Sequence, residues 1–297
     1  MNRLESISRK STAADYATGA FQQNTRPVGE FLAPSVAVAG HSGLYKRWSE
    51  KSRFYVPNTL RELGGPATEI ASDASDGKYN CAPQALDFPI DNAVGDEEAK
   101  MLSMDAVDYL SDIYGLAHLY ETLIKAKEAA GAGVNKNYDP LVDPVELIDA
   151  EVEAVLLAGK CEEAGVLFGA SAWRRFKNHP LVAARRQVMK WELNPALFTA
   201  DARYMGCFAV VDTAPEGIDP VMDFLLKNEV IVFGRHPAPH RRDPSFMKTF
   251  RESQWIKNVR TKKTNDGRKT LVMLDWSAEI QVTNSTAVKR INYLPAA

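Results

Sequence analysis

Residues 96–130 (DEEAKMLSMDAVDYLSDIYGLAHLYETLIKAKEAA) constrain the fold more than any other stretch. Leu102, Ala106, Tyr109, Ile113, Leu116, Tyr120 and Leu123 recur at alternating steps of four and three, the spacing of one apolar stripe on an α-helix. Asp96 is the expected N-cap, and Glu97 and Glu98 suit the positive end of the helix dipole. Lys125 and Lys127 suit the negative end, and Ala130-Gly131-Ala132-Gly133 stops the helix. At about 1.5 Å per residue such a spine is roughly 50 Å long. Asp105, Asp108, Asp112 and Glu121 lie off the stripe, so the outer face is acidic. Eight acids and three bases give the segment a net charge of −5. A helix this long needs something extended to lie along it.

The remaining chain supplies candidates. Its 297 residues, 45% hydrophobic and 25% charged, are enough for two domains or one large one. A net charge of −2 gives no global field for nucleic acid, and no apolar run reaches membrane length. The first residues lack a signal-peptide core. Cys81, Cys161 and Cys207 are odd in number and far apart. They read as buried small groups of a protein made in the cytoplasm, not as a disulfide framework or a metal knuckle.

Residues 1–26 are polar and read as an arm that only a neighbour would order. Val28 to Val38 reads as a short strand or strand pair broken by Pro34. Residues 41–70 interleave Leu44, Tyr45, Trp48, Phe54, Tyr55 and Val56 with Lys46, Arg47, Lys51, Arg53 and Arg61. The spacing predicts a two-stranded ribbon that returns through Gly64-Gly65-Pro66. Over 41–66, five bases stand against Glu50 and Glu62, giving +3. A hairpin with no core of its own is marginal unless it packs on something. The acidic spine is its electrostatic complement, on a neighbouring subunit, because each spine buries its own stripe at home.

Residues 71–95 read as a turn-rich link. A loop at 131–143 leads to a second amphipathic helix, Pro144 to Lys160. A buried strand at Val166–Phe168 precedes a helix from about Ser171, and residues 171–190 hold six bases and no acid. Strands follow near Cys207–Asp212 and at Val230–Phe233, then a proline-rich basic loop at 235–244. SFMKTFRES and TLVMLDWSAEIQVTN alternate as long antiparallel strands, with a basic turn, KNVRTKKTNDGRK, near their junction.

No catalytic signature accompanies these elements. Gly40-His41-Ser42-Gly43 and Gly169-Ala170-Ser171-Ala172 fail the nucleophile-elbow pattern, and no glycine-rich phosphate loop is present. Pro237 and Pro239 forbid the helix that would align His236 with His240 for a metal. Asp139, Asp143, Asp149, Glu151 and Glu153 read as a solvated helix entrance and face. Arg174, Arg175, Lys177, Arg185 and Arg186 are candidate contacts with nucleic acid or another subunit. The reading is a structural protein, not an enzyme, with no cofactor and no metal.

In element order the chain resembles the major capsid proteins of tailed bacteriophages, the Hong Kong ninety-seven phage fold shared with encapsulins and herpesvirus shells. Residues 36–57 (VAVAGHSGLYKRWSEKSRFYVP) resemble the start of that family's extended loop. LFGASAWRRFKNHPLVAARR (167–186) is similar to a strand, Trp-helix and His-Pro segment of phage coat proteins. DPSFMKTFRES (243–253) is similar to the strand that re-enters the peripheral domain. The likeness spans about residues 27–290.

The resemblance implies an α+β fold. It comprises an N-terminal arm (1–26), an extended hairpin loop (41–70), and a peripheral domain (27–40, 71–140 and 243–284) that includes the spine. An axial domain (141–242) and a C-terminal strand and tail (285–297) complete it. It implies self-assembly into hexamers and pentamers of an icosahedral shell around double-stranded DNA, touched nonspecifically by Arg or Lys. Lys46, Arg47, Trp48, Lys51, Arg53 and Phe54 of the loop are expected against Asp105, Asp108 and Asp112 of a neighbouring spine. Other implied partners are a separate scaffolding protein, a portal and a decoration protein, and the implied location is the virion, assembled in the host cytoplasm. Nothing identifies the acceptor asparagine or catalytic carboxylate of a loop crosslink, so none is expected. An encapsulin-like nanocompartment and an unrelated soluble α/β enzyme are the alternatives.

Overall fold

The computed structural model describes residues 27–47, 75–189, 201–204, 208–210, 222–252 and 258–295. The expected arm and the loop beyond Arg47, as far as residue 74, lie outside the described residues. In chain order the first elements are α1 (Pro27–Leu32), β1 (Ser35–Val38), β2 (Ser42–Arg47), β3 (Ser75–Asn80), β4 (Ala82–Asp91) and the spine α2 (Asp96–Ala130). Next come β5 (Val134–Asn137), α3 (Pro144–Gly159), β6 (Glu163–Phe168), α4 (Ala170–Lys177), α5 (Pro180–Met189) and β7 (Asp201–Tyr204). Last are β8 (Phe208–Val210), β9 (Met222–Phe224), β10 (Glu229–Arg235), β11 (Met247–Glu252), β12 (Asn258–Lys263), β13 (Lys269–Val282) and β14 (Val288–Leu294).

Among the described residues, two five-stranded sheets carry most of the strands, while β2 pairs with β3 and β8 with β9. One has the order β1-β11-β13-β12, with β4 also paired to β13. The other has the order β5-β14-β10-β6-β7. The second therefore takes in β5 and β14, from outside the expected 141–242 span. Its strands alternate between two cores, as the period of two requires. Val166, Phe168, Val230, Val232, Ile291 and Tyr293 face α3, α4 and α5, whereas Leu167, Ile231 and Phe233 face α1 and the spine.

The spine is one continuous helix, but its buried face is not the expected stripe. Ala99, Ser103, Ala106, Val107, Leu110 and Ser111 are buried in its first half, and Gly115, Leu119, Thr122, Leu123 and Ala126 in its second. At 100° per residue these two sets point roughly 140° apart. The cause is that one helix serves two cores. Ala106, Val107 and Leu110 meet Ile90, Val272 and Leu274, whereas Leu119, Leu123 and Ala126 meet Phe31, Leu32, Ile231 and Phe246. Tyr109, expected inside, is 54% exposed. Gly95, in an extended conformation, is the N-cap in place of Asp96, which is the first helical residue.

Other expectations change for local reasons. Of the expected strand or strand pair at 28–38, Ser35–Val38 is extended but Pro27–Leu32 is helical: Pro27 opens α1, and the Glu30 carboxylate accepts the Ser35 N–H at 2.9 Å and its hydroxyl at 2.7 Å, which turns the chain into β1. Within the expected link at 71–95, Ser75–Asn80 and Ala82–Asp91 are strands. Along β4, Leu86, Phe88 and Ile90 point to the spine core, and Pro83 and Pro89 are tolerated because β4 pairs on one side only. The segment 134–137, read as loop, is β5. The helix from 171 is two helices broken at Asn178-His179, where Pro180 starts the second. Within the basic turn at 257–269, residues 258–263 form β12 against β13.

Candidate assembly surfaces

The base of the ribbon is built from a repeated tripeptide pattern. Gly43-Leu44-Tyr45 and Gly77-Lys78-Tyr79 place glycine two residues before tyrosine on both strands. The antiparallel register sets Gly43 opposite Tyr79 and Tyr45 opposite Gly77. Each ring lies across the facing glycine, where a Cβ would collide with it. Both rings then stack on the wholly buried Phe250 of β11, Tyr45 at a centroid distance of 5.5 Å and Tyr79 at 4.8 Å. The Asn80 N–H donates to the Glu279 carboxylate, and the Ser277 hydroxyl donates to the Cys81 carbonyl at 2.9 Å. Burial, with Glu279 and Glu252 nearby, pushes the Cys81 thiol up to about 11. The ribbon thus leaves the sheet through a rigid mooring.

Lys46 lies on this ribbon and pairs with Asp76 directly across the ladder at 2.6 Å. Arg47 ends β2, with its side chain outside the described residues, as are Trp48, Lys51, Arg53 and Phe54. On the spine, Asp105 and Asp112 are exposed and Asp108 is half-buried. The same outer face holds Met101, 68% exposed, and Tyr109, whose ring meets Phe88 edge-on at 5.8 Å. The face is therefore acidic with apolar anchors, one of which, Tyr109, periodicity alone assigned to the core.

Besides the spine, the β10–β11 and β13–β14 connections link the sheets, and hydrogen bonds tie them together. Thr283 N–H and Asn284 N–H both donate to the Phe246 carbonyl, at 2.9 and 3.0 Å. Asn284 Nδ2 donates to the carbonyls of Gly159 at 2.8 Å and Pro244 at 2.9 Å. Beside them Lys248 and Asp243, both fully buried, pair at 3.2 Å, and Lys248 Nζ also donates to the Asp243 carbonyl at 2.8 Å. Burial pushes the Asp243 carboxyl upward, but the Lys248 ammonium and the N–H groups of His240 and Ser245 outweigh it and hold it below the ordinary range. His236 and His240 stack at 5.3 Å, and no metal-binding cluster forms among the described residues.

A second polar network joins α1, the spine and β11. Glu30 pairs with Arg251 at 2.8 Å, and the Arg251 guanidinium lies 5.7 Å from the centre of the Tyr114 ring. His118 Nε2 lies 2.9 Å from Thr249 Oγ1, whose hydroxyl donates to the Ala33 carbonyl at 3.0 Å. Nε2 therefore carries the proton of a neutral imidazole. Burial, reinforced by Arg251, lowers the His118 pKa to about 4. Between that value and the ordinary 6.5 the unfolded chain binds the proton and the native state does not, so stability must fall as pH falls. The expected loss is up to about 3 kcal/mol across the window. Urea melts from pH 7 to 4 should show it, and His118→Gln should flatten the profile.

The helices α3, α4 and α5 cover the other face of the second sheet. Asp143 caps α3 by accepting the Val145 N–H at 2.9 Å, with Pro144 next. His179 is fully buried, with Nε2 2.8 Å from the Asp139 carbonyl, and its own carbonyl accepts the Ala183 N–H at 2.8 Å. Arg175 is engaged at home, donating to the Tyr293 carbonyl and, at 3.0 Å, to Asn228 Oδ1. Arg174 and Lys177 are exposed. Arg185 and Arg186 fall on α5, with side chains outside the described residues.

The overall fold is similar to that of phage capsid proteins of known structure. A phage-related protein from Bordetella bronchiseptica aligns over 94% of this chain and 95% of its own, with a TM-score of 0.71 and 16% identity. A putative prophage capsid protein from Escherichia coli aligns over 94% and 98%, with a TM-score of 0.58 and 7% identity. A chain of the capsid structure of cyanophage P-SCSP1u aligns over 89% and 86%, with a TM-score of 0.53 and 9% identity. No protein-family model and no curated sequence matches the chain.

Proposed function

We propose that the chain is a major capsid protein that assembles through hexamers and pentamers into an icosahedral shell around double-stranded phage DNA. The observation that carries this reading is the correspondence of fold from end to end with the phage-related protein, over 94% of one chain and 95% of the other. The role is structural, and the protein works by contact between copies in the virion. The sheet of β1, β4, β11, β12 and β13 with the spine is the peripheral domain, and the sheet of β5, β6, β7, β10 and β14 with α3 to α5 is the axial domain. A separate scaffolding protein, a portal and a decoration protein are the further partners, and assembly takes place in the host cytoplasm.

The interlock runs from the ribbon of one copy to the spine of the next. Lys51, Arg53 and Arg47 answer Asp105, Asp108 and Asp112, while Trp48 and Phe54 cover Met101 and Tyr109. Rim charges of this kind set register and rate, and the aromatic anchors carry most of the affinity. A photo-crosslinking amino acid in place of Trp48, in a mixture of isotopically heavy and light chains, tests it. Heavy–light bonds to spine peptides 96–130 are expected. Bonds confined to a single chain would reject the interlock.

A further inference from the structure

On the basis of the capsid reading, we propose that axial domains meet head to tail, the acidic outer face of α3 on one copy against the basic α4–α5 layer of the next. Helix α3 contains Glu146, Asp149, Glu151 and Glu153 and no base. Its buried side is Val145, Ile148, Val152 and Val155, which leaves Glu146, Ala150, Glu153 and Leu157 aligned on the outer side. Leu157 is 78% exposed, an apolar anchor in an acidic surround. Helices α4 and α5 contain no acid. Arg174 and Lys177 of α4 are exposed, as is Leu181 of α5, at 37%.

Both patches cover the same face of the same sheet, because α3, α4 and α5 share one core. They are therefore fixed relative to one another and differ in charge. Matching an acidic patch to a basic one on the next copy leaves a free patch of each kind at the two ends. Such a heterologous contact repeats from copy to copy and forms a ring where its rotation closes, as hexamers and pentamers require. Each member would bury an exposed leucine and neutralise charge that its own fold leaves outward. Arg175 takes no part, since its guanidinium already serves Tyr293 and Asn228.

The geometry makes a topological prediction. The variant Glu146→Lys/Glu153→Lys makes the exposed positions of α3 basic like those of α4, and Arg174→Glu/Lys177→Glu makes those of α4 acidic like those of α3. Neither is expected to form rings alone. An equimolar mixture can alternate the two, which closes rings of even number but not of five. Electron microscopy of the mixture should show hexameric sheets or tubes and no closed shells, because a pentameric vertex cannot alternate. Wild-type chain run alongside reports on the capsid reading itself. Wild-type shells together with shells from either variant alone, or with an unassembled or merely dimeric mixture, would overturn the contact and leave the capsid reading standing. A wild-type chain that stays monomeric would overturn both. Where a reversal lowers the melting temperature, Glu146→Gln/Glu153→Gln and Arg174→Gln/Lys177→Gln take its place. Each is expected to raise the concentration needed for assembly about tenfold, and an unchanged threshold rejects the contact.

Discussion

Phe250→Ala is expected to destabilise the chain by about 3–5 kcal/mol and to release the ribbon. The ring is wholly buried and is the platform on which Tyr45 and Tyr79 both stack, so its loss removes packing from both strands at once. The local readout is Cys81, 1% exposed, whose thiol donates to the Phe250 carbonyl at 3.4 Å. In the wild type it should resist thiol reagents, because burial and a pKa of about 11 leave little reactive thiolate. In Phe250→Ala it should label many times faster, at denaturant concentrations well below global unfolding. Equal labelling in the two proteins would show that the ribbon is held elsewhere. Phe250→Leu retains most of the volume and should fall between them.

Lys248→Met is expected to cost about 3–5 kcal/mol, because it strands the Asp243 carboxylate in the interior. The pair sits where β10 crosses into β11, so the loss should loosen one sheet relative to the other. Two backbone N–H groups, of His240 and Ser245, still donate to that carboxylate at 2.6 and 2.8 Å. They soften the penalty but do not cancel it. The double variant Asp243→Asn/Lys248→Met removes the charge altogether and should be more stable than Lys248→Met alone. Denaturant melts of the two single variants and the double variant form the cycle that measures the coupling. A Lys248→Met protein as stable as the wild type would show that the pair contributes nothing to the crossover.

The helix at 96–130 was legible because seven apolar residues in a period of three and four override any local ambiguity. Its inner face was not, because a single stripe assumes a single core. The spine's buried face instead passes from the Val272–Leu274 surface to the Phe31–Ile231 surface, with the small residues Ser103, Ser111 and Gly115 buried along it. Strand β4 was hidden by its prolines, which an edge strand accepts and a central strand does not. Strands β5 and β14 pair across more than 150 residues of sequence, Val134 with Ile291, and no local pattern announces such a partner. The ribbon mooring did leave a trace. The mirrored Gly-x-Tyr tripeptides are visible in the sequence, but only the register shows that each tyrosine covers the other strand's glycine. The acidic outer face of the spine was legible as charge, whereas the exposure of Met101 and Tyr109 depended on knowing which way the helix turns.

Electron microscopy of the purified full chain, set beside a chain in which a short glycine-serine turn replaces residues 49–73, tests the central claim most directly. The replacement retains β2 and β3 and their mooring on Phe250, so the body of the fold should melt as before. The account predicts closed shells from the full chain, and only monomers or isolated rings without the loop. A full chain that remains a monodisperse monomer, or shells that form equally well without the loop, would contradict it.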